Sequence, residues 1–183
     1  MWGAGGDRGI EMLGEGIAAW QGGGARLWMP MFQMLQALAY AKASRSEPAL
    51  KAIEQAISAC QSSGERWAMA EVLRTKASLL ARAGDGKRAE AEAVLLDSLD
   101  IAQRQEARSW QLRTACDLSR LWQRQGRNGT AHQLLQSVYD GFTEGFDTGD
   151  LLEAHTLLLA LKPNLRWKRT DGRKYSVGTH RKT

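Results

Sequence analysis

Two sets of residues stand at spacings that gather each on one side of a helix: Glu71, Arg74, Ser78 and Arg82, then Arg113, Cys116, Arg120 and Arg124. Steps of three and four return to the same face of a 3.6-residue helix. An arginine fork matches a carboxylate bidentately, so Arg74, Arg82, Arg113, Arg120 and Arg124 together suit an acidic ligand. An earlier set at the same spacing, Met31, Met34, Leu38 and Lys42, is mostly apolar, and methionine adapts to varied apolar partners. The expected chemistry is therefore binding: a peptide with apolar and acidic residues lying along a groove, its carboxylates on the arginines. The competing reading is a solvated face whose arginines pair with neighbouring glutamates.

Signals for covalent chemistry are missing. The opening WGAGGDRG does not space as GxGxxG and follows no strand. AGDGKRAEAE holds Gly-Lys without GxxxxGK[ST], and it reads as a turn between helices, as does QGGGAR. His132, His155 and His180 are dispersed, with no close ligand cluster. His155 falls on an apolar helical stripe and is expected to be a partly buried structural residue. Carboxylates are plentiful, but no spacing singles out an acid/base pair. Cys60 and Cys116 fit no metal or redox spacing and read as small buried apolar groups. The sequence thus assigns no catalytic, cofactor-binding or metal-ligating residue, and the chain is not expected to be an enzyme.

The elements that would position these residues repeat. Ala, Leu, Gln, Glu, Arg and Lys dominate, and Gly and Pro cluster between periodic segments. Helices are expected at about 8–20, 27–43, 46–62, 65–83, 87–105, 108–125, 128–143 and 148–161, with ends good to roughly 2–4 residues. Tyr40, Leu80 and Trp122 each stand four residues before a small closing residue: Ser44, Gly84 and Gly126. Three residues before each comes a small one, Ala37, Ala77 or Ser119. The following helix answers with Ala49–Ile53, Ala91–Leu95 or Ala131–Leu135. Small residues let two helices approach, and large ones fill the space between them. Trp28, Trp67 and Trp110 open the first helix of each repeat and are read as packing between units.

This pattern resembles the tetratricopeptide (TPR) repeat, with a period of 40–42 residues in place of 34. The leucine expected before the first small residue is Gln36 and Lys76 in two repeats; Leu118 alone fits. The predicted fold is all-α: a right-handed α-α superhelix of TPR-like hairpins over residues 1–162, with repeats at about 25–64, 65–106 and 107–147. Residues 8–20 form an orphan N-terminal helix, since Leu13, Gly16 and Ile17 match Ile53, Ala56 and Ile57 of a second helix. A lone hairpin helix cannot bury its apolar side, so the chain is expected to be cut from something longer or covered there by another molecule. The side of this helix near Met12, Ile17 and Trp20 is a candidate homodimer contact. Residues 148–161 are expected to form a cap helix, N-capped by Asp147 or Thr148, with a stripe of Leu151, Leu152, His155, Leu158 and Leu159.

The phrases RLWMPMF, GERWAMAEVLR, AEAEAVL, ARSWQLR, SRLWQRQGR and GFTEGFDTGDLLEA are similar to the C-terminal TPR region of large bacterial proteins common in rhizobia. Those proteins join a class III adenylate/guanylate cyclase or a DNA-binding domain to a predicted signal-transduction ATPase. The resemblance, over residues 8–162, implies a regulatory, partner-binding arm. The family's cyclase and ATPase motifs would lie upstream and are not in this sequence, so no catalytic residue carries over.

The net charge of +5 is unevenly spread. Residues 163–183 hold seven Lys or Arg against Asp171 alone, leaving the body close to neutral. This basic tail, stopped from continuing the last helix by Pro163, reads as disordered. With Trp167 and Tyr175 among its cations it supplies the alternative function, binding nucleic acid or an anionic surface. For the body, a protein or peptide partner is expected, with nucleic acid and membrane disfavoured. No apolar run approaches a bilayer span, and the start has no basic region followed by an apolar core, so cytoplasm is the expected compartment.

Overall fold

The computed structural model describes residues 3–162, with side chains from residue 7. Eight α-helices follow one another: α1 Gly3–Gly22, α2 Met29–Lys42, α3 Ser46–Ser63, α4 Met69–Arg82, α5 Arg88–Arg104, α6 Arg108–Arg124, α7 Asn128–Tyr139 and α8 Gly149–Leu161. Single 3₁₀ turns, Arg66–Ala68 and Asp85–Lys87, lead into α4 and α5. No strand occurs among the described residues, so the chain is all-α there. Helix α1 takes in Gly3–Asp7, which the sequence reading left outside, and α7 stops at Tyr139 rather than at 143.

Short connections pair α2 with α3, α4 with α5 and α6 with α7. The small closing residues make the first half of each turn. Ser44, Gly84 and Gly126 all have positive φ, 59°, 127° and 76°, which a glycine adopts without a steric penalty. Ser44 holds this conformation with a side chain. Ser44→Gly is therefore expected to stabilise the first hairpin by about 0.5–1 kcal/mol, read as a rise in the urea midpoint.

The matched residues form the seams. Ala37, Ala77 and Ser119 are buried against Ala49, Ala91 and Ala131, and Ile53, Leu95 and Leu135 fill the space beside them. The Ser119 hydroxyl donates to the Ala131 carbonyl at 3.1 Å. Leu80 and Trp122 are buried, while Tyr40 is half-buried. Ser98 donates to the Ala70 carbonyl at 2.7 Å and lies 3.0 Å from the Thr114 hydroxyl, so this buried polar group is satisfied.

Consecutive first helices also touch: α2 with α4, α4 with α6, α6 with α8. The second helices α3, α5 and α7 have no comparable contact with one another. At the leading ends of the first helices the three tryptophans meet. Trp28 stands edge-on to Trp67 with centroids 4.7 Å apart, and Trp67 stacks on Trp110 at 6.0 Å.

The last helix corrects the sequence reading. Leu151 and Leu158 are buried, but their companions inside are Ala154, Leu157 and Leu161; Leu152, His155 and Leu159 face outward. His155 is thus exposed, lying beside the Tyr139 ring with centroids 6.1 Å apart. Thr148 is the N-cap residue, yet its hydroxyl donates back to the Gly145 carbonyl at 2.7 Å and makes no bond to the helix. The basic tail, with Trp167, Tyr175 and His180, lies outside the described residues.

Candidate functional site

The face identified from spacing runs along α2, α4 and α6. On α2, Leu38 and Lys42 are exposed and Met31 is half-buried. Met34 is 4% exposed and packs into the core with Ala37 and Ile53, which removes it from any surface groove. A one-position turn around the helix carries it from the rim to the seam, a difference that spacing alone does not resolve. Cys116, which spacing sets beside the arginines, is buried, as expected of a small apolar group, and burial pushes its thiol up to about 12. Burial, with Glu65 nearby, pushes Cys60 up to about 11.

The arginines divide into two groups. Arg74 binds both Glu71 oxygens, through Nε at 2.9 Å and Nη2 at 2.7 Å, and Asp117 through Nη1 at 2.7 Å. Arg113 binds Asp150 through Nε at 2.7 Å and approaches Glu71 at 3.7 Å. Arg120 reaches Asp117 at 3.3 Å and Glu153 on α8. These three arginines and four carboxylates tie α4, α6 and α8 together across the face. Burial works against the Arg74 charge, but hydrogen bonding and attraction from Glu71, then Asp117, outweigh it and hold its pKa above the ordinary arginine value.

Arg82 and Arg124 form the second group. They end α4 and α6, are exposed, and have no side-chain hydrogen bond or ion pair among the described residues. Between them lies a cleft of about 170 Å³ floored by Ala77, Ala81, Ala91, Leu95 and Leu121; Ser78 and the Asp117–Arg120 pair also line it. This arrangement can hold one carboxylate over an apolar floor. Leu38 and Lys42 lie on the preceding first helix, outside this cleft.

Spacing missed the polar centre on the outer seam. Glu92 of α5 accepts from Trp122 Nε1 at 2.7 Å, Arg127 at 2.7 Å and Gln125 at 3.1 Å, and the Arg127 guanidinium lies 4.6 Å from the Trp122 ring centre. Burial disfavours the Glu92 charge, but the bonds from Arg127, Trp122 and Gln125 outweigh it and lower its pKa. A depressed folded pKa gives stability that is present above the unfolded carboxylate value and lost as the pH falls through the folded value. Glu92→Gln is expected to cost about 1.5 kcal/mol at pH 7. Its urea midpoint should then fall less than wild type's between pH 7 and pH 3.

Among the described residues no group of three or more His, Cys, Asp or Glu is placed to hold a metal ion, and no helix is long and apolar enough to cross a membrane. No protein-family model matches the sequence, and no curated protein matches it.

Proposed function

We propose that the chain is a protein-interaction module, a TPR-like superhelix of helical hairpins serving as the C-terminal regulatory arm of a larger bacterial signalling ATPase or nucleotide cyclase. Its partner is a peptide segment carrying acidic and apolar residues. The series of contacts between first helices supports a stack with these helices on one side, which is where a solenoid offers its binding surface. The observation that carries the reading is the unequal state of the arginines. Arg74, Arg113 and Arg120 already hold carboxylates of the chain, whereas Arg82 and Arg124, on either side of the cleft, hold none; the cleft's own carboxylate, Asp117, is bonded to Arg74 and Arg120. The peptide's acidic group is taken there, and the apolar residues lie toward Leu38 and Met31.

Fluorescence polarisation with a labelled peptide of alternating leucine and glutamate tests this. Alanine at both Arg82 and Arg124 should weaken binding at least about tenfold, since charge-assisted hydrogen bonds contribute about 1.5–3 kcal/mol each. Helicity should not change. Equal affinity in the double variant and wild type removes the cleft as the site.

A further inference from the structure

The two ends of the stack carry open faces of opposite kind. On α8, Ala154, Leu158 and Leu161 are buried one 40-residue period after Thr114, Leu118 and Leu121, which are buried on α6. The same shift sets Leu152, His155, Thr156 and Leu159 on Leu112, Ala115, Cys116 and Ser119. All four are buried on α6; all four are exposed on α8, Leu152 at 53% and Leu159 at 51%. Ser119 shows what covers this side of α6, because its hydroxyl bonds to α7. Helix α8 thus has the side of a first helix that takes a second helix, and among the described residues only the Tyr139 ring, beside His155, comes near it.

Helix α1 has the opposite defect. Ile10 is buried and Leu13 and Ile17 are half-buried on its α2 side, one period before Leu50, Ile53 and Ile57 of α3. Its Gly9, Met12, Gly16 and Trp20 match Ala49, Ala52, Ala56 and Cys60, which α3 buries in the cluster it shares with Met34 and Ala37 of α2. On α1 Gly9, Met12 and Gly16 are exposed, Met12 at 63%; Trp20, 42% exposed, turns instead toward α2, edge-on to Phe32 with centroids 5.8 Å apart and its Nε1 donating to the Leu27 carbonyl at 3.0 Å. Among the described residues it is a second helix with no first.

We propose that copies of this chain join head to tail, α1 of one copy seating on α8 of the next as α7 seats on α6. Volume supports a second copy as the occupant. The small residue that a first helix buries at this seam (Ala37, Ala77, Ser119) becomes Leu159 on α8, and its alanine partner (Ala49, Ala91, Ala131) becomes Gly9 on α1, with open space where a Cβ would stand. The joint also extends past one helix pair, since α2 of the incoming copy would touch α8 as α8 touches α6, continuing an interface the stack already uses. Such a contact is heterologous, so it builds a ring or an open chain, in contrast to a two-fold dimer through α1 alone.

Sedimentation velocity of the full chain at rising concentration tests the joint. Wild type should form a concentration-dependent series. A variant with Leu152→Glu and Leu159→Glu, and another with Met12→Glu and Gly16→Glu, should each be monomeric with unchanged helicity, all four positions being exposed. Mixed in equal amounts, they should form a dimer and nothing larger, because one keeps α1 and the other keeps α8. Three results would each overturn the proposal: wild type monomeric at every soluble concentration, whatever covers α8; association lost in only one variant; or a mixture that stays monomeric.

Discussion

Replacing Arg74 by leucine is expected to lower the stability of the chain by about 3–5 kcal/mol, because it strands a buried carboxylate. Glu71 is 6% exposed, and both of its oxygens depend on the Arg74 guanidinium. Arg113, 3.7 Å away and already bonded to Asp150, cannot replace that fork. Asp117 loses its bond at 2.7 Å as well, but keeps Arg120. The loss therefore falls mainly on Glu71. Urea unfolding followed by circular dichroism gives the number. The decisive control is the double change Glu71→Leu with Arg74→Leu. A buried pair exchanged for apolar residues of similar volume is often neutral in stability, so the double variant should recover most of what the single one loses. If the single variant loses less than about 1 kcal/mol, as an exposed pair would, Glu71 is not held as described.

The same network separates what the sequence makes legible from what it does not. Pairs three residues apart, Glu71 with Arg74 and Asp117 with Arg120, follow from helix geometry, and the reading of a paired charged face contained them. Arg74 with Asp117, Arg113 with Asp150 and Arg120 with Glu153 do not, because they depend on the height at which one helix meets the next. Seams are legible for a different reason. A small residue opposite a small residue is a requirement of close approach, so Ala37, Ala77 and Ser119 announce their neighbours wherever the helices end. The positive-φ turn at Ser44, Gly84 and Gly126 is likewise local, and a small residue marks it. Helix α8 is the reverse case. Leu151, Leu152, Leu157, Leu158, Leu159 and Leu161 surround it with apolar residues, so no stripe stands out and the buried side cannot be chosen from spacing. The choice of Leu152 and Leu159 as buried failed for that reason. Met34 failed for a milder version of it, since α2 is apolar on more than one side. The Glu92 centre joins residues 30 to 35 positions apart, beyond the reach of any local rule.

Trp122→Ala should cost about 3–5 kcal/mol, the range for emptying a buried aromatic site. The indole fills the position that Leu80 fills one hairpin earlier, and it belongs to the cluster that binds α4 and α5 to α6, α7 and α8. Its removal opens a cavity and also leaves Glu92 without the Trp122 donor and Arg127 without the ring beneath it. Trp122→Phe separates the two effects. The phenyl ring keeps most of the volume, so the remaining loss, about 1–2 kcal/mol, reports the hydrogen bond to Glu92. Tyr40→Ala, at the equivalent but half-buried site, should cost less than half as much as Trp122→Ala. The place of Trp122 in the stack adds a second readout. Each hairpin contacts mainly its neighbours, so cooperativity depends on the joint between them. Weakening the joint between the second and third hairpins should let the α6–α8 end unfold ahead of α2–α5. The stacked pair Trp67 and Trp110 spans that joint, so in Trp122→Ala its fluorescence should change at lower urea than the helical signal. In wild type the two curves should coincide. Coincident curves in the variant would mean that the hairpins unfold as one unit and that the Trp122 seam is not what couples them.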